Sequence, residues 1–173
     1  MKLLKKIALF SLSLFTLGAS AQTDPATTKR IVEAKQFVFV ASTAMPMNSN
    51  EINSVLSRMP GASGGGTINL TGSNYDVRIT PDSLISYLPY YGRAFSAPMN
   101  RDDNGFKFTS TKFSFESTAR KKGGWQININ PKDTRESVRM SFTISENGYA
   151  SLVVSSNNKQ SISYNGYLAG PKK

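Results

Sequence analysis

Apolar residues recur at every second position through most of the chain after Thr67. Ile68 and Leu70 alternate with Asn69 and Thr71, and Tyr75, Val77 and Ile79 with Asp76 and Arg78. Trp125, Ile127 and Ile129 alternate with Gln126, Asn128 and Asn130, and Val138, Met140, Phe142 and Ile144 with Arg139, Ser141 and Thr143. A period of two puts alternate side chains on one face, so each run predicts a strand with one buried side. Shorter runs at Leu84–Leu88, Phe106–Phe108, Phe113–Phe115, Ala150–Val154 and Ser161–Tyr164 predict further strands. Turn formers separate them: Gly72-Ser73-Asn74, Pro81-Asp82, Asp102-Asp103-Asn104-Gly105, Gly123-Gly124 and Asn157-Asn158. Asn147-Gly148 predicts a type I′ hairpin, with positive φ at both residues.

The first third of the chain reads differently. Residues 22–28 are polar and form a loose lead-in, while Asp24-Pro25 reads as an N-cap and first helical position of a short helix reaching Lys35. Gln36–Ala41 is apolar or small on both alternate sets, which predicts a strand buried on both faces, interrupted at Met45-Pro46-Met47. Asn48–Met59 carries Ile52, Val55 and Leu56 at helical spacing but suits irregular chain equally well, and Pro60–Gly66 is a loop. The fold class is mainly β, α+β at the margin. It is a single antiparallel, strongly curved or barrel-like meander of about eight to ten short strands with a short N-terminal helical segment. The strands are short for an outer-membrane barrel, which needs about 9–11 residues in each.

Composition then narrows location and chemistry. A basic start, an apolar run from Ile7 to Leu17 and the ending Ala19-Ser20-Ala21 form a secretory signal peptide, with cleavage expected after Ala21. That run is too short to span a membrane, which takes about 20 residues. Cleavage would leave 152 of the 173 residues as one domain, residues 29–173 behind the lead-in, with no transmembrane span. It would also remove Lys2, Lys5 and Lys6, lowering the formal charge from +10 to +7. The chain has no Cys and no His. Disulfides, thiolate metal sites, a lipid-bearing N-terminal cysteine, Ser-His-Asp triads and imidazole catalysis are therefore excluded. A periplasmic or secreted protein is the expectation.

The run Asp82-Ser83-Leu84-Ile85-Ser86-Tyr87-Leu88-Pro89-Tyr90-Tyr91-Gly92-Arg93-Ala94 resembles the signature of a secreted Bacteroidota family, domain of unknown function 4251. Phe37–Ala41 with Met45-Pro46-Met47 is similar to the family's first strand and its exit, and Ile68–Val77 to its next hairpin. Asp102–Ser110 and Asn157–Gly166 are similar to its central turn and last hairpin, so the resemblance runs from about Lys29 to Leu168. It implies an exported, single-domain protein, and it carries no catalytic residues, because the family has no assigned activity.

Three tyrosines and one guanidinium concentrate at Tyr87, Tyr90, Tyr91 and Arg93. A phenol offers a flat apolar face and a hydroxyl, and Arg a fork for carboxylate or phosphate, so the set suits an anionic or sugar-like ligand. The same run suits a structural corner instead, with Asp82 bonding its own turn, Pro89 and Gly92 bending the chain and tyrosines closing the core. Arg120-Lys121-Lys122 is too short, with too few aromatics, for a nucleic-acid groove, and no nucleic-acid partner is expected. Asp76, Asp82, Asp102, Asp103 and Glu116 are the acids available for glycan hydrolysis. Asp102–Gly105 lacks the ligand spacing of a calcium loop, and Gly64-Gly65-Gly66 lacks the Lys of a phosphate loop. No cofactor, metal or catalytic set is expected. The favoured function is a non-enzymatic envelope binding or accessory module meeting an anionic or glycan component. The alternatives are a structural or inhibitory domain that uses a sheet edge, and a carboxylate-based hydrolase.

Overall fold

The computed structural model describes residues 23–47, 66–95 and 105–171 and the backbone of 62–63. The leader over 1–21, the stretch 48–59 and the Asp102-Asp103-Asn104 turn lie outside the described residues.

Helix α1 spans Pro25–Glu33. Asp24 caps it by accepting the Thr27 N–H at 3.0 Å, and Pro25 takes the first turn, where no N–H is needed. The lead-in expected over 22–28 therefore ends at Asp24. The helix stops at Lys35, whose φ is +52°. Its N–H bonds to Val32 O at 3.0 Å, and the Gln36 N–H bonds to Ile31 O at 2.9 Å. These paired bonds satisfy the last helical carbonyls in a Schellman motif. Ile31 and Val32 enter the core.

One antiparallel sheet follows, made of β1 (Phe37–Pro46), β2 (Ala62–Ser63), β3 (Thr67–Asn69), β4 (Asp76–Ile79), β5 (Leu84–Pro89), β6 (Gly105–Ser110), β7 (Phe113–Ala119), β8 (Trp125–Pro131), β9 (Val138–Ile144), β10 (Tyr149–Ser156) and β11 (Ile162–Ala169). The order is β6-β5-β4-β1-β11-β10-β9-β8-β7, with β2 and β3 beside this path. As its two-faced pattern predicts, β1 buries Phe37, Val38 and Phe39 together. It does not stop before Met45-Pro46 but runs through them, paired with β11 across an irregularity between Ala41 and Thr43.

Two expected turns differ. Ile68–Val77 does not form a hairpin, because β3 and β4 lie end to end along β1 instead of side by side. The β1 irregularity lets this happen: Ala41 N–H reaches Tyr75 O at 3.0 Å while Ser42 O accepts Leu70 N–H at 2.8 Å. At Asn147-Gly148 only Gly148 has positive φ, +79°. Gly148 N–H bonds to Ser145 O at 3.1 Å and Ser145 N–H to Tyr149 O at 2.8 Å, so the loop has three residues and a left-handed glycine rather than type I′ geometry.

The sheet curls nearly shut. Phe39 on β1 meets Phe142 on β9 edge-on at 5.7 Å between ring centres. These strands are three places apart, about 14 Å in a flat sheet, so only curvature brings the rings together. Phe37, Phe106, Ile127, Met140 and Tyr164 fill the same interior. The two end strands, β6 and β7, are consecutive in sequence, so Thr111 and Lys112 carry the chain from one edge to the other. Asp133 secures this corner. Its carboxylate accepts the Ser110 hydroxyl, the Thr111 N–H at 2.9 Å and the Lys112 N–H at 3.2 Å.

The Ser110 hydroxyl, and after it the Thr111 N–H, hold the Asp133 carboxyl below its ordinary value of 3.8. A carboxyl lowered in the folded state stabilises fully above its unfolded value and stops doing so as pH falls through the folded one. The urea midpoint should therefore fall on acidification below about pH 4, and Asp133→Asn should flatten that fall. Parallel acid profiles for the two proteins would remove Asp133 from the corner's energetics.

Candidate functional site

Strand β5 alternates from Leu84 to Leu88, with Leu84, Ser86 and Leu88 buried and Ile85 and Tyr87 exposed, before Pro89 is buried at its end. The alternation continues into Tyr90, which is 5% exposed and turned inward. Its ring meets Phe106 edge-on at 5.6 Å. Its one hydroxyl proton lies between two carbonyls, Arg93 O at 2.7 Å and Gln160 O at 3.1 Å. Behind it, buried Tyr164 donates to Pro89 O at 2.5 Å. Residues 89–95 thus run toward the β10–β11 connection, where Ala94 bridges Lys159 and Phe95 N–H bonds to Asn158 O at 2.8 Å.

The expected set of four is accordingly divided. Tyr90 lies inside, and its hydroxyl fastens the corner. Tyr91 is half-buried against the core, and burial raises its phenol, with Tyr75 adding to the effect. Arg93 is exposed, and its backbone carbonyl, rather than its guanidinium, makes the corner's bonds. Gly92 is required by close approach: a Cβ there would collide with the Tyr90 hydroxyl and ring. Pro89 supplies the carbonyl that Tyr164 uses. Asp82 is exposed on a turn closed by Thr80, whose N–H reaches Ser83 O at 2.8 Å.

Tyr87 alone of the set presents its ring outward, 45% exposed. It stacks on Tyr75 with ring centres 5.7 Å apart and planes 24° from parallel. Lys107, its neighbour on β6, places Nζ 5.1 Å from the Tyr87 ring centre. On the other side Asp76 faces Tyr87 across β4, and Arg78 Nε holds Asp76 Oδ2 at 3.0 Å. The outer face of β4–β6 is therefore a small aromatic platform with the Lys107 cation on one side and the Asp76–Arg78 ion pair on the other. Tyr75 and Lys107 were not singled out in the sequence, because only strand register brings them to Tyr87. Their one visible signal is alternation: Lys107 stands between Phe106 and Phe108, and Tyr75 opens the β4 run.

A second polar cluster lies beneath the corner. Lys159 is buried, and its Nζ meets Glu136 Oε1 at 2.7 Å and lies 5.3 Å from the Phe106 ring centre. Burial pushes the Glu136 carboxyl up, but bonds from Lys159, Ser156 and Asn158 outweigh it and hold the group below its ordinary value. Asp76 and Asp133 are likewise engaged, Glu116 is exposed on β7, and no group of three potential metal-ligating side chains converges among the described residues.

Burial above all pushes the Tyr90 phenol up to about 12 from an ordinary 10.0. A phenol raised in the folded state contributes its full stability below about pH 10 and loses it as pH rises toward about 12. Tyr90→Phe should cost about 1–2 kcal/mol at neutral pH, since two carbonyls lose a donor, and should blunt alkaline unfolding in that window. Unchanged neutral stability in urea titration would contradict the hydroxyl's role.

The comparisons with known proteins agree with this architecture. A crystal structure of a DUF4251 family protein from Bacteroides eggerthii is similar to this chain, with TM-score 0.56 and 16% identity, covering 84% of this chain and 87% of that one. At that identity the likeness concerns the fold. No curated protein matches the chain. The model of the DUF4251 domain of unknown function matches residues 19–168, and the chain belongs to that family.

Proposed function

We propose that this protein is an exported, non-enzymatic binding module that holds an acidic glycan of the cell envelope on the outer face of β4–β6. The observation that carries this reading is the exposed Tyr87 ring, stacked on Tyr75 with the Lys107 cation over it and the Asp76–Arg78 ion pair on the neighbouring strand. A sugar ring has apolar C–H faces that pack on an aromatic plane, and Tyr combines that plane with a hydroxyl at low conformational cost. Lys107 is exposed and flexible, so it can leave the ring for a uronate or sulfate while the sugar takes its place. The basic leader ending in Ala19-Ser20-Ala21 supports export. The engaged state of Asp76, Asp133 and Glu136 favours binding over carboxylate hydrolysis, which needs two acids facing one cleft.

The test is titration calorimetry of the protein against polygalacturonate, with dextran as the neutral control. Polygalacturonate should bind with an affinity that falls as salt rises, and dextran weakly. Tyr87→Ala should lower polygalacturonate affinity about tenfold without changing the fold. Equal binding by wild type and Tyr87→Ala would sink the assignment of this face.

A further inference from the structure

Strand β7 ends the sheet: it pairs with β8 along all of Phe113–Ala119, and no described strand pairs with its other side. Such an edge offers unpaired N–H and C=O groups to any extended chain, and proteins usually guard it with Lys, Pro, bulges or short length. Within β7 itself these guards are missing, and cations stand only beside it, at Lys112, at Arg120-Lys121-Lys122 and at Lys35 over Phe115. It has seven residues, contains no Lys, Arg or Pro, and keeps one register with β8 throughout. The opposite edge, β6, does carry an exposed Lys107. β7 is also held firmly at both ends. Asp133 fixes the chain before it, and Arg120 N–H bonds to Gly124 O at 3.0 Å after it.

The strand's two faces specify what would fit. Phe113 and Phe115 share the inner side, half-buried against the core, and Phe115 is partly covered by Lys35, whose Nζ lies 5.3 Å from its ring centre. Glu116 is on the outer side and is the one charge on the strand. An added strand would bury more of the two phenylalanine rings with its apolar residues and meet Glu116 with a cation. A second copy fits poorly, because β7 paired antiparallel with itself about its centre sets Glu116 beside Glu116, and like charges directly opposite destabilise a ladder.

We propose that the open edge of β7 accepts an extended segment of a partner protein, alternating apolar and polar residues, with a Lys or Arg opposite Glu116. This site is separate from the Tyr87 face. The recognition is β-augmentation: backbone bonds supply affinity, and the alternate side chains supply specificity.

The probe is a capped synthetic peptide of alternating Val and Thr around one central Lys, with a twin carrying central Glu. Amide hydrogen exchange, read residue by residue by NMR, locates the binding. The Lys peptide should slow exchange at alternate amides of Phe113–Ala119, and the Glu twin should bind about fivefold more weakly. Glu116→Lys should reverse that order, whereas Tyr87→Ala should leave it unchanged. Absence of protection on β7, protection confined to β6, an order unaffected by Glu116→Lys, or self-association through β7 would each overturn the proposal.

Discussion

The two-residue period of β5, pinned at its end by buried hydroxyls, decides which tyrosines serve the fold and which face solvent. Tyr90 must point inward, because its hydroxyl is the donor for the carbonyls of Arg93 and Gln160. Tyr164 fixes the preceding residue by donating to Pro89. With Leu84, Ser86 and Leu88 buried on the same side, alternation leaves Tyr87 outside. The aromatic platform is thus a consequence of core packing on the other face of one strand. A shift of register by one residue would bury Tyr87 and expose Leu88.

That constraint depends on the curl of the whole sheet. The Tyr164 bond joins β11 to the end of β5, three places away in strand order, and the Phe39–Phe142 contact joins β1 to β9 over the same interval. Both contacts require the interior of a nearly closed barrel. Without disulfides, side chains hold that closure: aromatic rings inside, and the Asp133 carboxylate where the chain crosses between edges. The Lys159–Glu136 pair beneath the corner adds geometry more than net stability, since a buried ion pair repays little beyond its desolvation.

Much of this was legible in the sequence because it is local. The Asp24 cap, the alternating strands, the two-faced burial of β1 and the turns at Gly123-Gly124 and Asn157-Asn158 all follow from residues near one another in the chain. Partner choice was less legible. Ile68–Leu70 and Tyr75–Ile79, joined by Gly72-Ser73-Asn74, look like a hairpin, and only the irregularity in distant β1 sends them elsewhere. Asn147-Gly148 satisfies a two-residue turn in sequence, but the three-residue loop lets Ser145 bond Tyr149 and leaves Asn147 out of the left-handed region. The density of Tyr87, Tyr90, Tyr91 and Arg93 in the sequence singles out one stretch but not the direction of each side chain. It could not say that three of the four turn to structural or peripheral roles while Tyr75 and Lys107 join the remaining one.

The alternation of β5 and the corner after it leaves Tyr87 outward and turns Tyr90 inward, and the function proposed above puts a ligand on the Tyr87 ring. Tyrosine nitration of the native protein, mapped by mass spectrometry with and without polygalacturonate, tests it directly. Tyr149, 54% exposed on β10, serves as the internal reference for Tyr87 at 45%. Tyr87 and Tyr149 should react while Tyr90 and Tyr164 do not, and polygalacturonate should protect Tyr87 alone. Nitration of Tyr90 as fast as Tyr87, or Tyr87 reactivity unchanged by the polyuronate, would contradict this assignment.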